Sequence, residues 1–473
     1  MTTWDMKIEN GTIVTDTEQY KANIYIREGK ISAVTHEQLT GDSLETIDAT
    51  GHYVFPGFID THIHSRDPGP TYKEDFIHST RAAAAGGITT VFEMPNTSPP
   101  VNHAENFDRQ VENLSKKAFV DFALWGICVG DLNNQHLPSL QQKGVIGFKF
   151  FWGYAVHAKT YQLMYNYKPG MEDVIPPFQD GDVYTMMQEV QKTGEVFAVH
   201  AENNDLIQTL TEKVEARGGK SYEDLIATRP ALAEVLTVKT GIELARETGV
   251  RFHVLHISSG DALDLIRDAQ AEGLPITVET CPHYLFLSNE DFARVGPHMK
   301  VYPPVKYKSD QERIWQGITD GTISHVCSDH APHTEEEKNG GLWSIPAGMC
   351  GVETLVPLML QGVTEGKLSL QDVARLLSVT PAKLFGVHPQ KGCLTPGSDA
   401  DITIVDMNKE RTIDREQLHS KSKVTAYHGK KIKGWPVQTI VRGQMVMNDG
   451  KLFGKPGQGK LITKKRKQSL PFN

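Results

Sequence analysis

The sequence predicts an α/β fold: an eight-stranded parallel (β/α)8 TIM barrel that carries a small β-sandwich domain built from both chain ends. Three observations carry this. Eight short runs rich in β-branched and aromatic residues recur between residues 55 and 388. The segments between them mostly show helical spacing, and such alternation builds a parallel sheet covered by helices. A texture of short strands and turns precedes the first run and returns after the last. Termini that lie close together allow a large domain to be inserted into a small one. An open doubly wound sheet would more usually place a glycine-rich phosphate loop after its first strand, and none follows here.

Residues 1–54 open with Lys7-Ile8-Glu9-Asn10-Gly11-Thr12-Ile13-Val14, which alternates around an Asn-Gly turn signal. Ile24-Tyr25-Ile26, Glu28-Gly29-Lys30 and Ile31-Ser32-Ala33-Val34 form a second hairpin-like unit. The barrel, residues 55–388, supplies its eight runs at Phe58–His62, Ile88–Phe92, Asp121–Trp125, Val145–Lys149, Val196–His200, Phe252–His256, Ile276–Thr280 and Ser324–Asp329. Ala231–Thr248 is an intervening helix with Leu232, Val235 and Leu236 on one side. Ala262–Glu272 is another, carrying Leu263, Ile266 and Ala269. Residues 389–454 return to the small domain through Asp401–Asp406 and Gln438–Gly443. Residues 455–473 form a polar, basic tail ending in Lys464-Lys465-Arg466-Lys467, expected to be solvated or to brace a subunit contact.

The 473 residues can bury a sizeable core without disulfides. Hydrophobic residues at 39% and charged residues at 23% fit a globular chain. A net charge of −9 and a pI near 6.1 argue against a dedicated nucleic-acid binder. Mean hydropathy of −0.36 and the lack of a long apolar run argue against a membrane span. Five scattered cysteines without a CxxC pattern, and no leader-like stretch after Met1, lead to the expectation of a cytoplasmic protein.

Chemistry-bearing residues cluster at the ends of the runs. His62 and His64 close the first, Lys149 ends the fourth, His200 the fifth, His256 the sixth and Asp329 the eighth. Strand C-termini of a parallel barrel share one mouth, where active sites sit, so six groups scattered in sequence converge. Imidazoles and a carboxylate suit zinc and its first-row neighbours, and His62 and His64 share a face at i, i+2. A lone histidine at a strand end is usually a packed or surface residue, and His78, His103, His136, His253, His298 and His428 are read that way. Lys149 lies in Gly147-Phe148-Lys149-Phe150-Phe151-Trp152, where an unpaired ammonium would be costly. It is either salt-bridged or, as a neutral amine, captures carbon dioxide to form a carbamate able to bridge two metal ions. Asp329 can hold a metal and carry a proton to a leaving nitrogen. Cys281 and Cys327 are read as structural thiols.

These residues match a family pattern. Phe55-Pro56-Gly57-Phe58-Ile59-Asp60-Thr61-His62-Ile63-His64, Gly147-Phe148-Lys149, Val199-His200-Ala201-Glu202-Asn203, His256-Ile257-Ser258-Ser259 and Ser328-Asp329-His330-Ala331-Pro332 resemble the cyclic amidase branch of the amidohydrolase superfamily. That branch holds allantoinases, hydantoinases, dihydropyrimidinases and dihydroorotases, and the resemblance covers nearly the whole chain. It implies a barrel of the amidohydrolase type and hydrolytic opening of a cyclic amide by a homotetramer or homodimer. It also implies two divalent metals per subunit, with zinc first and cobalt, manganese or iron as alternatives. His62, His64, carboxylated Lys149 (N6-carboxylysine) and Asp329 would hold one, and His200 and His256 the other, with the modified lysine bridging.

The substrate motifs are mixed. Tyr154 matches the hydantoinase tyrosine that binds the substrate carbonyl. Ile345-Pro346-Ala347-Gly348 is similar to a hydantoinase substrate loop, with Ala347 where an Asn is common and the contact made through the backbone. Glu279-Thr280-Cys281-Pro282-His283-Tyr284 and Thr425–Gly429 look like allantoinase or dihydroorotase. Arg66, Asn96 and His333 match dihydroorotase residues that grip a carboxylate, a fitting set for that purpose. Against that group, Tyr302 stands where Asn is usual and Lys306 where Arg is usual. Allantoinases tend to lack Arg66 and His333. Allantoin opening to allantoate is the first expectation, hydantoinase or dihydropyrimidinase activity the second, and a dihydroorotase-like acidic ring the third. Non-catalytic dihydropyrimidinase relatives lose metal ligands, whereas all six are present here. A phosphotriesterase-like hydrolase would not require Tyr154.

Overall fold

The computed structural model describes residues 3–464 apart from 161, 165, 166 and 169; Lys465, Arg466 and Lys467 of the basic tail lie outside the described residues. The chain begins with β1 (Thr3–Val14), β2 (Gln19–Arg27), β3 (Lys30–Thr35), β4 (Asp42–Asp48) and β5 (Tyr53–Pro56). The Asn10-Gly11 pair is not a turn. It is a bulge inside β1, both of whose halves pair antiparallel with β2. Asn10 takes the left-handed conformation (φ 63°), and its backbone amide donates to Asn23 Oδ1 at 3.0 Å. Gly11 is needed because a Cβ there would lie 2.6 Å from Val54 Cγ2. The true turn is Glu28-Gly29, between β2 and β3, where both residues have positive φ.

The barrel staves are β6 (Phe58–Ile63), β7 (Ile88–Glu93), β8 and β9 in one line (Asp121–Leu124, Gly126–Ile127), and β10 (Phe148–Trp152). A small antiparallel sheet of β11 (Ala155–His157), β12 (Leu163–Met164) and β13 (Val174–Ile175) follows Tyr154 directly. The staves resume with β14 (Val196–Ala201), β15 (Arg251–Val254), β16 (Ile276–Thr280) and β17 (His325–Val326). The pairings are parallel, and a bridge between Ile63 and His330 joins the last segment to the first. All eight expected runs become staves, because both faces of each are buried and only apolar or β-branched runs tolerate that. Three positions differ from expectation. Lys149 is the second residue of its stave rather than the last, whereas His256 and Asp329 lie two and three residues past theirs.

The helix Ala231–Thr248 forms with the expected bounds but turns its other face inward. Leu232 and Leu236 are exposed, and Ala233, Val238, Ile242 and Ala245 are buried, because small residues allow close approach to the staves. The helix Gly260–Ala271 buries Leu263, Ile266 and Ala269 as its spacing predicts.

The chain returns through β18 (Ile402–Thr412), β19 (Lys431–Val441), β20 (Gln444–Asn448) and β21 (Lys451–Leu452). β18 pairs antiparallel with β5, so the expected sandwich is one continuous nine-stranded sheet drawn from both ends of the chain. Its strands share a core containing Ile8, Ile24, Val54, Ile402 and Ile440. Part of the expected solvated tail packs instead: Phe122 of β8 accepts from Ile462 N at 2.7 Å and donates to Lys460 O at 3.0 Å.

Barrel and sheet are joined by a buried ionic cluster. Lys391, 1% exposed, pairs with Asp121 at the start of β8 and with Asp399 and Asp401 ahead of β18, while Arg442 also pairs with Asp121. Removing one partner of a buried pair strands the opposite charge in a medium that solvates it poorly. Lys391→Met is therefore expected to destabilise the protein by about 3–5 kcal/mol, read as a lowered midpoint in denaturant unfolding.

Candidate active site

Three acceptors set the imidazoles of the site. His62 Nδ1 donates to Glu279 Oε1 at 2.7 Å, and His64 Nδ1 donates to Asn96 Oδ1 at 2.8 Å. His200 Nε2 donates to Glu202 Oε2 at 2.9 Å. A neutral imidazole carries one proton, so each ring presents a lone pair from its other nitrogen. Those of His62 and His64 face Asp329 Oδ1 at 3.3 and 3.5 Å. That of His200 faces His256 Nε2 at 3.2 Å. Lone pairs aimed at a carboxylate oxygen repel it unless a cation lies among them, whereas His256 Nε2 can donate its hydrogen to the His200 lone pair. His62, His64 and Asp329 offer atoms within 4.8 Å of one another, as a metal requires. The donor set fits the metal that the sequence implies.

Electrostatics agree. Burial lowers His64 to about 4 and His256 well below the ordinary imidazole range, so both rings are neutral. Burial pushes the Asp329 carboxyl up, but His62, His64 and His256 around it hold it far below the usual carboxylate range. Lys149, 1% exposed, lies with its Nζ 4.4 Å from the ring centre of Phe151. Burial lowers its ammonium to about 7, although Asp329 and Glu279 act in the opposite sense. Its charge also bears on His200 and His256, so all six predicted groups share one space. Tyr154 joins them, its ring edge-on to His200 with centroids 5.0 Å apart.

The backbone contributes strain at the mouth. Arg66, His256 and Asp329 have φ of 64°, 36° and 45° just beyond their staves, a region costly for side-chain-bearing residues.

The rim residues are tied to one another. Asn96 orients His64 rather than standing apart as a clamp. His333 Nε2 donates to the Ala347 carbonyl at 3.0 Å, and its Nδ1 accepts from Lys73 Nζ at 3.3 Å. Burial first, and then Arg66, Lys73 and Lys338, keep this imidazole neutral. Arg66 donates to the Pro332 carbonyl at 3.3 Å and lies 3.5 Å from His333 Nε2. The rim is therefore built around Arg66 and Lys73, with Glu337 as the carboxylate paired to Lys73.

Sequence reasoning missed the residues that hold the ligands in place. Glu279 is fully buried and also accepts from Thr61 Oγ1 at 3.1 Å and His325 Nε2 at 3.0 Å. Its signal was available: it is an acidic residue inside the seventh barrel run, a stave expected to give no ligand. Glu202 lies two residues past His200 in the same motif. Lys73 carries no local signal. His253, read as a packed residue, is stacked on His325 with centroids 5.3 Å apart. Cys281 and Cys327 are buried thiols 3.6 Å apart.

With this geometry, the protein-family comparison is decisive: the Amidohydrolase family model matches residues 53–446. The chain belongs to the Amidohydrolase family. The solved structure of an L-hydantoinase (dihydropyrimidinase) from Arthrobacter aurescens matches this amidohydrolase with a TM-score of 0.91. The two are 34% identical, with 98% of this chain and 100% of that one covered. An allantoinase from Deinococcus radiodurans is 34% identical over 97% of this chain and 98% of its own. A dihydroorotase from Pyrococcus furiosus is 33% identical over 97% and 96%. This amidohydrolase is accordingly a hydrolase.

Outer partners of metal-binding histidines fix ring orientation, and their loss costs about 10- to 100-fold in metal affinity. Glu279→Gln keeps the shape but offers His62 a neutral partner. It is expected to weaken divalent-metal retention by about that factor, measured by competition with a chelator, with the fold intact by circular dichroism.

Proposed function

We propose that this amidohydrolase opens a five- or six-membered cyclic amide or ureide at a ring C–N bond. The observation that carries the reading is the convergence of three oriented imidazoles, His62, His64 and His200, and of His256 on Asp329 and Lys149. In this reading His62, His64, Asp329 and Lys149 hold one divalent ion and His200 and His256 a second. Zinc comes first, with cobalt, manganese or iron as alternatives. Lys149 would be a ligand to both as a carbamate, formed when its neutral amine adds carbon dioxide and releases one proton, and its apolar setting favours that neutral amine. Bound there, the metals supply a polarised carbonyl and an acidified water.

The chain's own groups perform the remaining steps. Asp329 takes the proton of the attacking water and delivers it to the leaving ring nitrogen. Tyr154 donates a hydrogen bond to the substrate carbonyl oxygen as negative charge develops there. Arg66, Asn96, His333 and Ala347 form the rim that receives the rest of the ring.

Allantoin, giving allantoate, is the first substrate on the mixed motifs, with hydantoin and dihydropyrimidine rings next. A ring bearing a carboxylate is the third reading, and a specific observation favours it: Arg66 and Lys73 flank a neutral His333 with one carboxylate, Glu337, against them. Ring opening of allantoin, hydantoin and dihydroorotate, side by side with added divalent metal and bicarbonate, tests the proposal. Turnover of none overturns it, and preference for dihydroorotate assigns Arg66 and Lys73 to a carboxylate.

Lys149→Ala removes the bridging group and is expected to abolish turnover and reduce bound metal. Full activity with metal retained would refute the carbamate.

A further inference from the structure

Two halves of the proposed centre meet at Arg229, which the assignments above leave without a role. Glu202 Oε2 accepts from His200 Nε2 at 2.9 Å and also from Arg229 Nη1. The guanidinium of Arg229, only 11% exposed, hydrogen-bonds to Tyr154 and lies 3.6 Å over the ring of Tyr302. One cation thus touches the acceptor of a metal-ligating imidazole and the phenol whose ring abuts that imidazole.

The donor inventory gives this contact a direction. A guanidinium has five N–H donors and no acceptor. The Tyr154 oxygen must therefore accept from Arg229, which turns its own hydrogen toward another acceptor. The planar fork serves two acceptors at a fixed angle while its flat face stacks on an aromatic ring, a combined geometry that the compact ammonium of lysine does not reproduce. Gly153, immediately before Tyr154, supports the same arrangement. It has φ 96°, and a Cβ there would lie 2.5 Å from the Glu202 carbonyl oxygen.

We propose that Arg229 is a positioning residue. It fixes the Tyr154 hydroxyl as a donor and Glu202 as the acceptor that orients His200, so one guanidinium aligns the oxyanion donor with the second metal-ligand pair. Tyr302 holds the guanidinium flat. This rests on the hydrolase reading above, in which Tyr154 meets substrate and His200 holds metal.

Arg229→Ala and Arg229→Lys, each as full-length protein, test it through two readouts. Arg229→Ala is expected to lower kcat about 100-fold while KM moves less than about three-fold. It is also expected to weaken divalent-metal retention about 10-fold. Millimolar guanidinium chloride, well below denaturing levels, restores part of both losses, and ammonium chloride restores neither. Arg229→Lys keeps the charge but loses the fork, so it shows the same losses in milder form.

Metal retention, followed against a chelator without substrate, reads the proposal whichever ring the enzyme opens. Failure of the wild-type protein on every ring would fall on the proposed function instead. Retention within two-fold of wild type in both variants overturns the positioning role. So does a loss in Arg229→Ala that guanidinium does not relieve, the behaviour of an ion pair that only holds the fold. If Arg229→Ala does not accumulate as soluble protein, Arg229→Lys decides: unchanged retention and kcat overturn the proposal.

Discussion

A hydrogen-bond acceptor behind an imidazole decides which ring nitrogen keeps the proton, and the mouth of this barrel depends on that choice made three times. Glu279, Asn96 and Glu202 each take an N–H from a site histidine, so His62, His64 and His200 turn lone pairs inward. Without those acceptors the same rings could adopt the other tautomer and donate to Asp329 or to one another, and the site would close on itself. Glu279 bears the heaviest demand because it is buried as an anion. Burial pushes its carboxyl up, yet the imidazoles of His253, His325 and His62 around it bring it well below the ordinary range. A barrel layer usually filled by branched aliphatic residues is therefore polar here, with Glu279, His62, Thr61 and His325 joined in one hydrogen-bonded group.

Geometry imposed by the backbone completes the arrangement. Arg66, His256 and Asp329 lie just past the staves in conformations that cost about 1–3 kcal/mol each. They are held because the frame around them is over-determined. His64 N donates to the His330 carbonyl at 2.8 Å, closing the barrel one residue from Asp329. Ser65 N donates to both oxygens of buried Glu93 at 3.0 and 3.1 Å, pinning the segment that leads to Arg66. The strain thus lies where side chains must point across the mouth rather than along it.

Much of this was legible in the sequence because the barrel repeats one physical rule eight times. A stave buried on both faces must be apolar, so a histidine or aspartate at its edge stands out, and the metal-ligand candidates follow from that contrast alone. What stayed hidden came from outside the rule. Asn10-Gly11 reads as a turn, but the identity of a bulge depends on β2 pairing both sides of it. Leu232 and Leu236 mark an apolar stripe, yet the staves accept the smaller Ala233, Gly241 and Ala245 face instead. Lys149 sits early in its stave because the apolar run continues through Phe150, Phe151 and Trp152, whose burial extends the strand. Arg229 and Lys73 come from loops and helix starts, where no periodicity announces a role.

The strip of chain that runs beside β8 has a consequence for how the molecule is made. Asp121, at the head of the barrel's third stave, accepts a hydrogen bond from Lys460, a residue 339 positions later. Asp121 also meets Lys391 and Arg442 from the returning strands. During synthesis that stave must wait with an unsatisfied edge and an unneutralised carboxylate while several hundred residues emerge. Long-range pairing of this kind slows folding and leaves sticky intermediates exposed. The order of synthesis therefore leaves the barrel open until its last strap arrives, and closure of the third stave is a late event in folding.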